Sequence, residues 1–288
     1  MAECRSECQS AYSAQDCGRI TALDSLALDK KLFSDDVENA EIEVPNGSVS
    51  VRLRCSPLHN HSEDAIAVLP VANRGVVLAV ADGVGGAPGG RDAALIVLES
   101  LRIAIAMKSN DSLQQAILAA IEAANSRLME QGKGAGPTVV VAEIVDGMLR
   151  SYHVGDSEVV VVGQRGKVKG RIIPHSPTGF AVETGMITEE EAMHHEYRHI
   201  LLNVIGSDTM RVEAAEPIPL APRDTVVLAS DGLLDNLYMT EILDEARCGA
   251  LPDSADRLVR MAGERMKRMD VSMPSKPDDL SLILYRSA

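Results

Sequence analysis

The chain has 288 residues, 45% of them hydrophobic, enough for one large domain or two small ones with a sizeable core. Its 28 basic and 42 acidic residues give a net charge of −14 and an isoelectric point near 4.9, which disfavours nucleic acid or an anionic membrane as a general partner, because phosphate-rich surfaces attract basic protein. No apolar run reaches the roughly 18 residues of a membrane span, and MAECRSECQS lacks the basic start and apolar centre of a signal peptide, so a soluble, cytoplasmic protein is expected.

The five cysteines, Cys4, Cys8, Cys17, Cys55 and Cys248, are odd in number and lack the paired spacing of a thiolate zinc site, so they read as reduced thiols. With no Trp, two Phe and five Tyr, the core must be built from Val, Ile, Leu, Ala and Met, and stacking surfaces for bases or sugars are scarce.

Residues 1–43 read as a polar, acidic extension with a short helical pattern in ALDSLALDKKLF, and residues 44–288 as one folded domain. The domain opens with strands. SVSVRLRC alternates, and DAIAVLPV and RGVVLAVAD follow with a turn at Asn73-Arg74-Gly75 between them. A helix from about Arg91 carries Ala94, Leu95, Leu98, Leu101 and Ile105 on one face; a second starts at the capping-box pattern Ser112-Leu-Gln-Gln115 and carries Ile117, Ile121, Ala124 and Leu128.

Beyond the glycine-rich GKGAG the strands return: PTVVVAEIV, a turn at Asp146-Gly147, MLRSYHVGD, then SEVVVVGQRGKV with a turn near Arg165-Gly166. Residues 175–200 are polar and helical around ITEEEAMHHEYRH. DTVVLASDGL is a further strand, a helix spans about 253–268, and LSLILYR closes the chain as a strand. Strands and helices grouped in this way predict an α+β fold of antiparallel sheets with the helices segregated outside.

Carboxylates recur at strand ends. Glu63 and Asp64 precede one strand, Asp82 ends another, Asp156 follows RSYHV, Asp231 follows TVVLAS, and Asp278 and Asp279 precede LSLIL. An Asp-Gly at a strand end is ordinarily a turn, but carboxylates gathered at one edge repel each other unless a cation neutralises them, and hard oxygen ligands select magnesium, manganese or calcium over zinc. The glycines after Asp82 fit that requirement, since the carbonyl of Gly83 can turn inward and a substrate can approach bare backbone.

The segments SEDAIAV, VADGVGG, GPTVVVAEI with SYHVGDSEVVVV, GMITEEEA with NVIGSD, TVVLASDGLLDNL and KPDDLSLIL occur in an order and spacing that resembles the metal-dependent, type 2C protein serine/threonine phosphatases, over roughly residues 45–288. The resemblance implies a four-layer α-β-β-α sandwich of two antiparallel sheets flanked by helix pairs. It implies that Asp82 bridges two metal ions, that Gly83 gives its main-chain carbonyl to the second, and that Asp231 and Asp278 complete the first. Glu63 and Asp64 match an acidic pair that hydrogen-bonds metal-bound waters, Asp156 matches a weaker third site, and residues 177–199 match a flap beside the active site. The implied cofactors are two or three Mn2+ or Mg2+ ions. Two ions about 3.5–4 Å apart lower the pKa of a water between them and draw in phosphate oxygens, so that hydroxide attacks phosphorus in line and no covalent phosphoenzyme forms. The implied partner is a phosphoprotein, dephosphorylated by a monomer that opposes a serine/threonine kinase.

The match departs from the pattern at four places. His59 stands where an arginine grips the phosphate, and histidine does so only when protonated; His59 and His61 also read as exposed loop residues. Val84 stands where some members carry a proton-donating histidine, and Ser62 where asparagine is common. Asp278-Asp279 replaces an Asp-Asn pair, and Asp278 is taken as the ligand from its distance to LSLIL. Two other readings use the same residues: a pseudophosphatase that serves as a protein-binding module, and a phosphatase of a small phosphorylated metabolite. The first loses ground because Asp82, Asp231 and Asp278 are all present.

Overall fold

The computed structural model describes residues 19–20, 32–34, 37–72, 74–83, 89–107, 112–132, 134, 136–268 and 273–288. The helical pattern expected in the N-terminal extension, the thiols of Cys4, Cys8 and Cys17, Asn73 of the expected turn, and Val84 all fall outside them. At Leu32–Phe33, where that helical pattern ends, the chain is extended and pairs with a strand.

The first sheet-forming segments are β1 (Arg19–Ile20), β2 (Leu32–Phe33), β3 (Val37–Val44), β4 (Gly47–Arg54), β5 (Ala65–Val71) and β6 (Gly75–Asp82). β3 pairs with β4 along its whole length, and β1 pairs with β3, so residues within the expected extension of 1–43 take part in the sheet. Helices α1 (Gly90–Met107) and α2 (Leu113–Gln131) follow. The Ser112 hydroxyl accepts from Gln115 N–H while the Gln115 side chain accepts from Ser112 N–H, and Gly132, at φ 62°, closes α2 in the left-handed conformation. Strands β7 (Thr138–Val145), β8 (Met148–Val154), β9 (Glu158–Val162) and β10 (Val168–Arg171) come next. The β7–β8 turn has positive φ at both Asp146 (52°) and Gly147 (75°), the geometry that matches strand twist in a two-residue hairpin.

Short helices α3 (Pro177–Glu183) and α4 (Glu189–Met193) lead to β11 (Glu213–Ala214), β12 (Ile218–Pro219) and β13 (Thr225–Ala229). The chain ends with α5 (Asp231–Leu234), α6 (Met239–Ala246), α7 (Leu251–Arg268) and β14 (Leu280–Ser287). The helical pattern expected through His199 stops at Met193: Tyr197 N–H donates to His195 Nδ1, a local bond that competes with the helix ladder.

One sheet has the order β1-β3-β4-β14-β13-β9-β10 and the other β11-β8-β7-β6-β5-β2, with β12 also on β8. The described pairs are antiparallel except β1 with β3. Alternate residues of each strand enter different cores. Ile66, Val68, Leu78, Val80, Val140, Val226 and Ile283 fill the space between the sheets, whereas Ala67, Ala79, Ala81 and Val141 pack under α1 and α2. Val227, Leu282 and Leu284 pack under α6 and α7. Both faces of the central strands are therefore covered, which is why they read as continuous apolar runs. The result is the expected four-layer α-β-β-α sandwich.

Candidate metal centre

Antiparallel pairing brings the beginning of one strand to the end of its neighbour. Ala65 lies opposite Ala81, so Glu63-Asp64 and Asp82 share an edge of one sheet; Ala229 lies opposite both Leu282 and Glu158, so Asp231, Asp278-Asp279 and Asp156 share an edge of the other. The two edges meet. Asp82 feels repulsion from Asp64 of its own sheet, from Asp231 and Asp278 of the facing one, and from Asp156 in the β8–β9 connection that joins the two sheets.

Each position is fixed locally. Asp64 is buried, and its Oδ2 accepts from Ser230 Oγ at 2.8 Å; Ser230 Oγ in turn accepts from Ser281 N–H at 2.9 Å, which ties the two sheets together behind the site. Gly83 fits against the start of α1 so closely that a Cβ would come within 2.5 Å of the Gly90 carbonyl carbon and 2.8 Å of Glu63 O. Gly90 has its own constraint, since a Cβ there would meet the Glu63 carboxyl carbon at 2.9 Å. Glu63 is thereby held along the loop that leaves Asp82. Of the glycines after Asp82, Gly83, Gly89 and Gly90 lie among the described residues, and Gly89 has φ 104°, open to glycine.

Asp278 and Asp279 have different surroundings. Asp279 is buried and accepts backbone N–H groups from Ser56 (2.6 Å) and Glu63 (2.7 Å), leaving it to hold the loop before β5. Asp278 faces the cluster. His59 stands against Asp279, with Nδ1 at 3.6 Å from its Oδ2.

Three residues that the sequence reading passed over belong to the centre. Asp235 lies one helical turn beyond Asp231, a spacing of four that could have flagged it. Asn236, fully buried, donates Nδ2 to the carbonyls of Gly232 and Lys276, both at 2.8 Å, and accepts from Lys276 N–H at 2.8 Å. The ammonium of Lys276 bonds Asp231 and lies 3.0 Å from Asp278 Oδ2 and 3.3 Å from Asp235 Oδ2.

The electrostatics follow. Withdrawal from water, then repulsion from Asp64, Asp231, Asp156 and Asp278, pushes the Asp82 carboxyl well above the ordinary carboxylate range. Burial and then neighbouring carboxylates also raise Asp64 and Asp156, and raise Asp235 to about 6; for Asp278 burial and Asp231 outweigh the opposing ammonium of Lys276. Burial alone would depress Lys276, but Asp231, Asp235 and Asp278 reverse the sign and hold it protonated. The Lys276 ammonium faces an excess of oxygen donors, a set that fits hard divalent cations such as Mg2+ or Mn2+.

A second group of possible ligands, His153, His175 and Glu213, has ligand atoms within 4.8 Å of one another. Its hydrogen bonding does not fit a cation. His175 Nδ1 accepts from Gly155 N–H at 3.1 Å, so the ring proton sits on Nε2 and is donated to Glu213 Oε2 at 3.0 Å, whereas a metal at Nε2 needs that nitrogen bare and the other carrying the proton. The group is a brace. Leu202 N–H donates to the carbonyl of His175, and Asn203 Nδ2 lies 2.9 Å from its Nδ1, so the flap that leaves at His175 is pinned where it returns and is joined to the loop carrying Asp156.

This brace predicts a pH effect. Burial first and the neighbouring His175 second push the His153 pKa down to about 4. Because the unfolded chain takes up the proton near the ordinary histidine value, stability present above about pH 6.5 is lost as pH falls towards 4, by roughly 3 kcal/mol. Chemical denaturation of the parent chain and His153→Gln across pH 4–7 should show the steeper acid loss in the parent, since glutamine keeps a donor for Ile173 O without titrating.

A cavity of about 220 Å³ opens beside the carboxylates, between Asp156, Asp231 and Asp235 on one wall and Val182, Met193 and Arg198 of the flap on the other. Residues 59–271 match the family model for protein phosphatase 2C. The chain belongs to the protein phosphatase 2C family. It is 26% identical over 216 residues to the serine/threonine phosphatase stp of Listeria welshimeri, covering 71% of this chain and 85% of that protein. The Streptococcus agalactiae serine/threonine phosphatase superposes with TM-score 0.72 at 25% identity, covering 83% of this chain and 99% of that one. The catalytic domain of the serine/threonine protein phosphatase PstP in complex with 2 manganese ions superposes with TM-score 0.67 at 22% identity over 83% and 96% of the two chains. Among the described residues of this protein phosphatase 2C member, no helix is long and apolar enough to cross a membrane.

Proposed function

We propose that the chain hydrolyses phosphoserine and phosphothreonine in proteins, with two divalent cations, manganese or magnesium, at the shared sheet edge and a weaker third beside Asp156. The observation that carries this reading is the meeting of Asp64 and Asp82 from one sheet with Asp231 and Asp278 from the other and with Asp156 from the connection between them. Family membership and the two manganese ions bound by the structurally similar PstP support it.

Asp82 would bridge the ions, Asp231 and Asp278 would complete one of them and the Gly83 carbonyl the other, while Glu63 and Asp64 would orient their waters. Bound ions of this kind supply an activated water and neutralise the phosphate oxygens. The chain's own contribution is to hold acceptors rigidly around that position, through Ser230, Asn236 and Asp279, so that little reorganisation accompanies reaction. The cavity under the flap would take the side chain and flanking residues of the phosphorylated segment. His59, against Asp279, would act as an outer and weaker phosphate contact. The substrate would be a phosphoprotein made by a serine/threonine kinase, and the enzyme a cytoplasmic monomer.

The test is phosphate release from a phosphothreonine peptide and from a panel of phosphorylated metabolites, with manganese, magnesium or a chelator. Metal-dependent release that is fastest on the peptide is the expected result. A folded protein that releases no phosphate with any metal would overturn the reading in favour of a binding module, and faster turnover of a metabolite would move the substrate class.

A further inference from the structure

Among the described residues, the Lys276 ammonium ion-pairs with three carboxylates of the centre, and its placement is built. Its backbone N–H and carbonyl are both held by the buried amide of Asn236, at 2.8 Å each, and the preceding carbonyl of Ser275 accepts from Arg198 Nη2 at 3.1 Å. The side chain therefore leaves a fixed backbone point and spans Asp231, Asp235 and Asp278 together. Two of those three carboxylates are the ones proposed to complete a metal ion.

We infer that Lys276 is an internal counter-cation that competes with divalent ions for the carboxylate centre and so sets the metal affinity of the chain. The inference rests on the proposed metal centre. Without bound ions, the ammonium offsets repulsion between carboxylates that the fold forces together. For an ion to take Asp231 and Asp278, Nζ has to give up those oxygens, and it remains a positive charge on a short tether beside the incoming ion. Both effects act against binding. Removing the charge should therefore strengthen metal binding and weaken the metal-free fold, two results of opposite sign that a merely structural lysine would not give.

The experiment is calorimetric titration of Mn2+ into the full chain as parent, Lys276→Met, Lys276→Arg and Asp82→Asn, with manganese electron paramagnetic resonance as a second measure of bound ion. Lys276→Met keeps the stem and removes the charge; it should bind Mn2+ about tenfold more tightly, from the size of a close charge pair in a partly solvated site. Its metal-free melting temperature should fall, and Lys276→Arg should stay near the parent in both. Asp82, which has no direct bond to Lys276, reports on the centre itself. If Asp82→Asn loses Mn2+ binding while Lys276→Met binds as weakly as the parent or more weakly, the competition is wrong and the metal centre stands. If Asp82→Asn binds Mn2+ as the parent does, the ions lie elsewhere and both readings fall.

Discussion

Asparagine at Asp82 is expected to abolish phosphate release while making the metal-free protein more resistant to heat. The two effects have one origin. Asp82 is held beside four other carboxylates, so its charge is unfavourable until ions arrive, and once they arrive it is the proposed bridge between them. Asn is nearly the same size but offers a neutral amide, and loss of an anionic ligand should lower turnover by roughly a hundred-fold or more, since even outer contacts to a metal are worth 10–100-fold. The sign of the stability change follows from the raised pKa. A carboxyl that holds its proton more tightly in the folded state costs stability as pH rises above the ordinary carboxylate range, and for Asp235 that window extends to about 6. The melting-temperature gain of Asp82→Asn should thus be small near pH 4.5 and larger at pH 7.5, and added Mn2+ should raise the parent but not the variant. Equal melting curves for the two at pH 7.5 without metal would show that Asp82 carries no repulsion.

The second large effect concerns a residue with no chemistry. Gly232 follows Asp231 in α5, and a Cβ there would lie 1.8 Å from the backbone oxygen of Asp279 and 2.7 Å from its carbonyl carbon. Neither partner can retreat. Asp279 is fixed by Ser56 and Glu63, and the Gly232 carbonyl by Asn236. Gly232→Ala must push α5 away from the segment carrying Asp278 and Asp279, at a cost of about 3 kcal/mol or more, the upper range for overpacking. For a chain of this size that is a fall in melting temperature of about 6 °C or more. Activity should drop even at temperatures where the variant is folded, because Asp231 and Asp278 would no longer face the same point. Thermal unfolding and phosphate release with saturating manganese check both; a variant with parental melting temperature would mean that α5 is not seated on β14 in this way.

Much of the architecture is legible in the chain because it depends on local pattern. Strands covered on both faces appear as unbroken apolar runs, hairpins are marked by Asp146-Gly147, and α2 announces its start with Ser112 and Gln115. The acidic strand ends are equally visible, and antiparallel pairing gathers them at the edge of each sheet, which sheet packing then brings together. What sets Asp279 apart from Asp278 is that it accepts the backbone N–H groups of Ser56 and Glu63, which lie more than two hundred residues away in the chain. Lys276 carries no signal in the sequence, since a lysine beside two aspartates reads as a solvated turn until α5 and Asn236 place it. The flap misleads for the opposite reason: its composition favours helix through His199, but His195 and Arg198 find partners off the helix, the latter at Ser275.

The pinned neck of the flap separates two kinds of change. Departure at His175 and return at Leu202 and Asn203 are fixed to each other and to Gly155, so the chain between them is a closed excursion whose ends do not move when its middle does. Closing such an excursion costs little more when it lengthens, because the entropy grows only with the logarithm of its length. A new flap can therefore be exchanged into this frame like a tool into a collet, altering which phosphorylated surface fits under it while the sheet edges stay in register.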